Sequence, residues 1–163
     1  MKKKIVVING TGGCGKDTFV SFCSKYCNVY NFSSIDKIRE IAKMMGYDGG
    51  KTEKDRKFLA DLKVLAKEYN DLPYNCIKDA INIFNDNESD MMFIHTREPE
   101  EIDRIVKEFN ALSVLIKRKN YELITSNSSD ANVENYDYDY IFENDTLEKL
   151  EEDAKKFVKE ILN

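Results

Sequence analysis

The sequence is poor in the features that mark metalloproteins, disulfide-linked proteins and membrane proteins. It has one histidine and four irregularly spaced cysteines, so it indicates neither a zinc site nor a disulfide framework. No stretch approaches the roughly 18 consecutive apolar residues of a membrane span. The short apolar run after residues 1–4 predicts a first strand rather than a secretory signal. We therefore expect a reduced, cytoplasmic protein that has no membrane partner.

A large basic patch is also missing, although the charge is unevenly spread. The net charge is −5, and residues 121–163 carry twelve acidic and only four basic side chains. The first 120 residues therefore hold a small positive excess, and we expect sites for anionic ligands there. An acidic end without a basic patch argues against a nucleic-acid partner. With 163 residues, of which 42% are apolar and 34% charged, the chain suits a single globular domain.

What the sequence does have is a glycine-rich loop directly after the apolar run 5–8. Its residues are Gly10, Thr11, Gly12, Gly13, Cys14, Gly15, Lys16, Asp17 and Thr18. The spacing Gly-x4-Gly-Lys between a strand and a helix predicts a phosphate-binding loop, because its backbone N–H groups and the helix N-terminus face a polyphosphate. Lys16 is then expected to reach the β- and γ-phosphate oxygens. The alternative is a glycine-rich turn without a ligand.

Strand and helix patterns alternate along the whole chain, which predicts an α/β protein with a parallel sheet. The predicted strands are about 4–8, 29–32, 91–94, 112–116 and 140–142. The predicted helices are about 15–26, 33–45, 52–69 and 74–84, one that has Pro99 in its first turn, and 145–162. The helix after Thr52 begins with a capping-box pattern, and its expected buried stripe is Phe58, Leu59, Leu62, Leu65, Ala66 and Tyr69.

Three stretches resemble the P-loop nucleoside monophosphate kinases. Gly-Lys-Asp-Thr at 15–18 looks like the loop of deoxynucleoside monophosphate kinases and of one phosphomevalonate kinase class. Ser-Ser-Ile-Asp-Lys-Ile-Arg at 33–39 is similar to the adenylate kinase stretch whose arginine holds the acceptor phosphate. Residues 93–98 resemble the arginine segment that follows the third strand of those enzymes. The resemblance implies a three-layer sandwich with strand order 2-3-1-4-5 over a single domain, 1–163.

The resemblance also implies Mg²⁺-dependent transfer of the γ-phosphoryl group of ATP to a small phosphorylated acceptor, most simply a (deoxy)nucleoside monophosphate. The residues of the glycine-rich loop would bind ATP, and Asp17 would hold the metal. Asp36, Arg39 and Arg97 would bind the acceptor, in a helical insertion of about 33–86 and at the end of the third strand. Lys16, Arg97 and Arg118 would be catalytic, and a lid-like loop of about 117–139 would follow the fourth strand. We expect nucleotides as partners and a monomer or homodimer.

Two departures from the kinase pattern leave alternatives open. Residues 120–138 contain no basic side chain, whereas the lid of adenylate kinases contributes several arginines. The third strand ends in His95 and Thr96, where many P-loop proteins have an acid. The alternatives are a nucleotide-binding regulatory or degenerate protein without kinase activity, and a kinase of another phosphate ester such as phosphomevalonate. Arg39 has its own alternative role, that of a solvated helix residue in a surface ion pair with a glutamate such as the neighbouring Glu40.

Overall fold

Five parallel strands form one sheet in the computed structural model, which describes residues 2–118 and 132–163. They are β1 (Lys4–Asn9), β2 (Val29–Ser33), β3 (Met91–His95), β4 (Leu112–Arg118) and β5 (Tyr140–Asn144). The strand order is β2-β3-β1-β4-β5, and every neighbouring pair is parallel. The predicted fold class and strand order are therefore confirmed.

Helices connect the strands and cover both faces of the sheet. In the described ranges they are α1 (Lys16–Cys23), α2 (Asp36–Met44), α3 (Glu53–Asn70), α4 (Leu72–Asp86), α5 (Pro99–Phe109) and α6 (Leu147–Leu162). Three of them, α2, α3 and α4, occupy the segment between β2 and β3. None of the helices in the described part of the chain is both long and apolar enough to cross a membrane.

Alternation along the strands divides the apolar side chains between two cores, because successive side chains point to opposite faces of a sheet. One core joins the sheet to α1 and α6, and among its buried residues are Val6, Ile8, Phe19, Phe93 and Phe157. The other joins the sheet to α4 and α5, and among its buried residues are Val7, Ile77, Ile94, Ile102 and Leu115. The sheet is thus the middle layer of three.

The buried stripe predicted for α3 is wrong, because no residue of this helix is fully buried, although the predicted helix start is confirmed. Thr52 Oγ1 accepts a hydrogen bond from the Asp55 N–H at 3.2 Å, and Asp55 Oδ2 accepts one from the Thr52 N–H at 3.0 Å. However, Leu65 is 63% exposed and Tyr69 is 86% exposed. The reason is the position of α3, which packs mainly against α2 and α4 and leaves the rest of its apolar face uncovered.

The segment predicted as a lid-like loop, 117–139, falls into three parts. Residues 117 and 118 belong to β4, and residues 119–131 lie outside the described part of the chain. In residues 132–139, Val133 and Tyr138 are buried in the core beside α4 and α5. This last part is therefore anchored to the core through these two side chains, although most of its other residues are exposed.

Candidate functional site

The glycine-rich loop leaves the end of β1 and closes onto the first turn of α1. Gly10, Gly13 and Gly15 have φ angles of 153°, 76° and 103°, a backbone region that favours glycine because it has no Cβ. The Cys14 N–H donates to the Thr11 carbonyl at 3.2 Å. Lys16 Nζ donates to the Gly10 carbonyl at 2.5 Å, so the lysine folds back over the loop. The loop thus lies between a strand and a helix, which is the context that the Gly-x4-Gly-Lys spacing predicts for it.

Two of the loop glycines are required by close packing as well as by backbone conformation. A Cβ on Gly10 would lie 2.4 Å from Cys14 Sγ and 2.6 Å from the Ile116 carbonyl oxygen. A Cβ on Gly15 would lie 2.4 Å from Asn144 Nδ2. A Cβ on Gly12, by contrast, would meet no heavy atom within 4 Å. The base of the loop is thus pressed against the sheet, whereas Gly12 leaves space on the loop for a ligand.

We expect Gly10→Ala to destabilise the fold by about 1–3 kcal/mol, because the new Cβ meets a backbone oxygen in a strained conformation. Gly12→Ala is the matched control, and its free energy of unfolding should change by less than about 0.5 kcal/mol. Urea unfolding of both variants measures the difference. Equal stability of the two variants would contradict the packing of the loop described above.

Side chains from the ends of β4 and β5 donate hydrogen bonds to carbonyl groups of the loop. Arg118 Nη1 donates to the Gly13 carbonyl at 3.3 Å, and Asn144 Nδ2 donates to the Cys14 carbonyl at 3.0 Å. Arg118 therefore lies at the glycine-rich loop. The sequence did not predict this contact of Asn144 with the loop, because no local motif links a strand end to a loop 130 residues earlier.

Asp36 and Arg39, two of the predicted acceptor residues, lie together on the first part of α2. Arg39 Nη1 and Asp36 Oδ1 are 3.4 Å apart, and the two side chains are half to two-thirds exposed. This contact is a surface ion pair, the alternative that the sequence left open for Arg39. It is formed with Asp36, since the neighbouring Glu40 is paired with Lys37.

The pKa of His95, at the end of β3, is influenced by charged groups from several parts of the chain. Burial is the main reason that its pKa is lowered, and the positive charges of Lys16 and Arg97 lower the pKa further. The carboxylates of Asp17 and Asp36 oppose this effect and raise the pKa. The imidazole is therefore within electrostatic reach of residues from the loop, from α2 and from the segment after β3. These four predicted site residues converge on one edge of the sheet.

A buried carboxylate near the end of β3 is a second feature that sequence reasoning missed. Thr96 Oγ1 donates a hydrogen bond to Glu101 Oε1, and both side chains are buried. Glu101 lies in the first turn of α5, and its Oε2 is 3.6 Å from Lys63 Nζ of α3. Glu101 thus joins Thr96, the residue before Arg97, to α5 and α3. The only sequence signal is an acid in the first turn of a helix, which is common.

Comparison with known proteins supports the fold through structure alone. No protein-family model and no curated protein matches the sequence. The structure is similar to that of a protein from Thermus thermophilus, with a TM-score of 0.53, 16% identity and 100% coverage of both chains. It is also similar to a sugar kinase from Janibacter sp., with a TM-score of 0.54, 15% identity, and coverage of 96% of this chain and 95% of the other.

Identities this low establish the architecture and nothing finer. The architecture agrees with the loop geometry, because the loop joins β1 to α1 at the carboxyl edge of a five-stranded sheet of order 2-3-1-4-5. The resemblance drawn from the sequence is thereby confirmed at the level of the fold. This chain has the fold of the P-loop kinases.

Proposed function

We propose that the protein transfers the γ-phosphoryl group of ATP to a small phosphorylated acceptor, and that the acceptor is a (deoxy)nucleoside monophosphate. One observation carries the proposal: Lys16 Nζ lies over the loop at 2.5 Å from the Gly10 carbonyl, and Asn9, directly before this loop, donates to the Arg97 carbonyl at 3.3 Å. The loop lysine and the backbone of Arg97 therefore flank one small region. In open α/β sheets, ligands bind in this crevice at the carboxyl ends of the strands.

The donor phosphates would be held by the loop amides and by Lys16, which leaves the Gly10 carbonyl to meet them. Phosphoryl transfer needs mainly alignment of the attacking and leaving oxygens and compensation of negative charge. A phosphate monoester acceptor is ionised at neutral pH, so its oxygen can attack without a protein base. The neutral imidazole of His95 needs no proton-transfer role in this scheme.

Arg97 would hold the acceptor phosphate, since a guanidinium can engage two phosphate oxygens at once. Arg118, already at the loop, would offset the charge that develops on the transferred group. Arg39 would join the acceptor side by releasing Asp36, and an exposed pair of this kind contributes only about 0–1 kcal/mol. Asp36 would then be available to a hydroxyl of the acceptor sugar.

Asp17 is the residue that would hold Mg²⁺, which supplies charge neutralisation between the phosphates and this carboxylate. No group of three or more histidine, cysteine, aspartate or glutamate side chains within residues 2–118 and 132–163 could hold a metal by itself. This donor set fits Mg²⁺, which is commonly bound by one or two carboxylates together with substrate phosphates and water. The exposed position of Asp17 in the first turn of α1 leaves it accessible to such an ion.

ADP release from Mg·ATP tests the proposal directly. The purified protein is assayed with each ribo- and deoxynucleoside monophosphate and with phosphomevalonate. Strong stimulation of ADP release by a nucleoside monophosphate is the expected result. If only phosphomevalonate stimulated ADP release, phosphomevalonate would be the acceptor and the proposed nucleoside monophosphate would be wrong. ATP binding without stimulation by any acceptor would contradict kinase activity and favour a nucleotide-binding regulator.

A further inference from the structure

Asn9, the last residue of β1, connects both halves of the proposed site through one buried amide. Its side chain is fully buried. Its Oδ1 accepts a hydrogen bond from the Gly10 N–H at 2.8 Å, at the start of the phosphate loop. Its Nδ2 donates to the Arg97 carbonyl at 3.3 Å and to Tyr138 Oη at 2.8 Å. The donor loop and the backbone of the acceptor arginine are thus held by the same side chain.

Tyr138 fixes the orientation of this amide from the segment that precedes β5. Its hydroxyl accepts the hydrogen bond of Asn9 and donates to the Val133 carbonyl at 2.6 Å. Its side chain is only 7% exposed, and the edge of the neighbouring Tyr136 ring packs against it at a centroid distance of 5.2 Å. Burial raises the pKa of Tyr138 to about 12, so the hydroxyl stays protonated and remains a donor.

The arrangement satisfies every polar atom of the two side chains in a buried environment, where an unmade hydrogen bond costs about 1–3 kcal/mol. The amide of Asn9 can therefore rotate only by breaking several of these bonds together. A side chain restrained in this way keeps the groups that it contacts in a fixed relation. Those groups are the first amide of the phosphate loop and the backbone of Arg97.

We propose that Asn9 and Tyr138 are positioning residues that set the separation between the phosphate-binding loop and Arg97. The proposal rests on the proposed kinase function, because it assigns these two residues to the alignment of donor and acceptor phosphates. Neither residue needs to touch a substrate. Their effect is on alignment, to which phosphoryl transfer is sensitive: a displacement of about 1 Å can lower a rate by roughly a hundredfold.

Tyr138→Phe is the sharpest test, because it removes the hydroxyl and keeps the buried ring. Tyr136→Phe is the matched control, since it removes a hydroxyl from the same segment and leaves the bonds of Asn9 intact. We expect Tyr138→Phe to lower kcat at saturating substrates by about tenfold to a hundredfold. The Kd for ATP, measured by titration without acceptor, should change by less than about twofold, because the loop itself is preserved. Tyr136→Phe should leave both values near those of the wild type.

The possible results separate this proposal from the function on which it rests. A wild-type protein without acceptor-dependent turnover overturns the kinase function and this proposal together. Turnover in the wild type with an unchanged kcat in Tyr138→Phe overturns the positioning role alone, even if the melting temperature falls. A double-mutant cycle with Arg97→Ala adds a second measurement. Non-additive effects on kcat support action through Arg97, and additive effects overturn it.

Discussion

Lys16→Met should lower kcat by about a hundredfold to a thousandfold, because removing one preorganised donor to developing charge has an effect of this size. Methionine keeps a side chain of similar length without the ammonium group. In the structure that ammonium group donates to the Gly10 carbonyl, and the loss of a hydrogen bond from a charged group should cost the fold about 1.5–3 kcal/mol. Steady-state kinetics with the best acceptor, together with ATP titration and thermal unfolding, measure the three effects separately.

Lys25→Met makes the same change of charge and shape on the surface, just after α1. Lys25 is paired with Glu151 at 2.7 Å, and both side chains are at least one-third exposed. We expect its kcat and its Kd for ATP to match those of the wild type. If Lys16→Met retained the wild-type kcat, the loop would not be the donor site, and the proposed function would have to be abandoned.

The loop and the parallel α/β sheet could be predicted from the sequence because their signals are local, whereas the strand order is implied by the resemblance to the nucleoside monophosphate kinases. The spacing from Gly10 to Lys16 is typical of a loop whose backbone conformation requires glycine at several positions. The apolar run before the loop indicates the strand. Alternation of strand and helix patterns then restricts the sheet to parallel topologies. Each of these inferences uses residues that are close together in the chain.

The contacts that complete the site could not be predicted in this way. Asn9 and Tyr138 are separated by 129 positions, and Asn144 is separated from Cys14 by 130. An asparagine at a strand end and a tyrosine in an acidic segment have no local pattern that joins them. The exposure of Leu65 and Tyr69 has the same origin, since helical periodicity predicts an apolar face but not which neighbours cover it.

The sequence already favours Arg97 over Arg39 as a functional residue, because Arg97 lies at a strand end and Arg39 has a surface ion pair as its alternative. Their surroundings in the structure distinguish them further. Arg39 lies on α2 in an exposed pair with Asp36. Arg97 follows β3, an inner strand of the sheet. Its backbone carbonyl accepts from the buried Asn9, and its charge lowers the pKa of Cys14 in the loop, although burial raises that pKa overall. A group that must align a phosphate with the loop needs a rigid support. Arg97 has that support, and we therefore expect it to be the more important of the two.

Arg97→Ala is accordingly expected to lower kcat/KM for the acceptor by about a hundredfold to a thousandfold, with the Kd for ATP nearly unchanged. Arg39→Ala should lower kcat/KM for the acceptor by a smaller factor, mainly by raising KM, because the Arg39 side chain must leave Asp36 before it can bind the acceptor. Arg104→Ala is the control, since Arg104 is a surface arginine paired with Asp71 at 2.6 Å. Loss of turnover in Arg39→Ala but not in Arg97→Ala would move the acceptor site from the end of β3 to the first turn of α2.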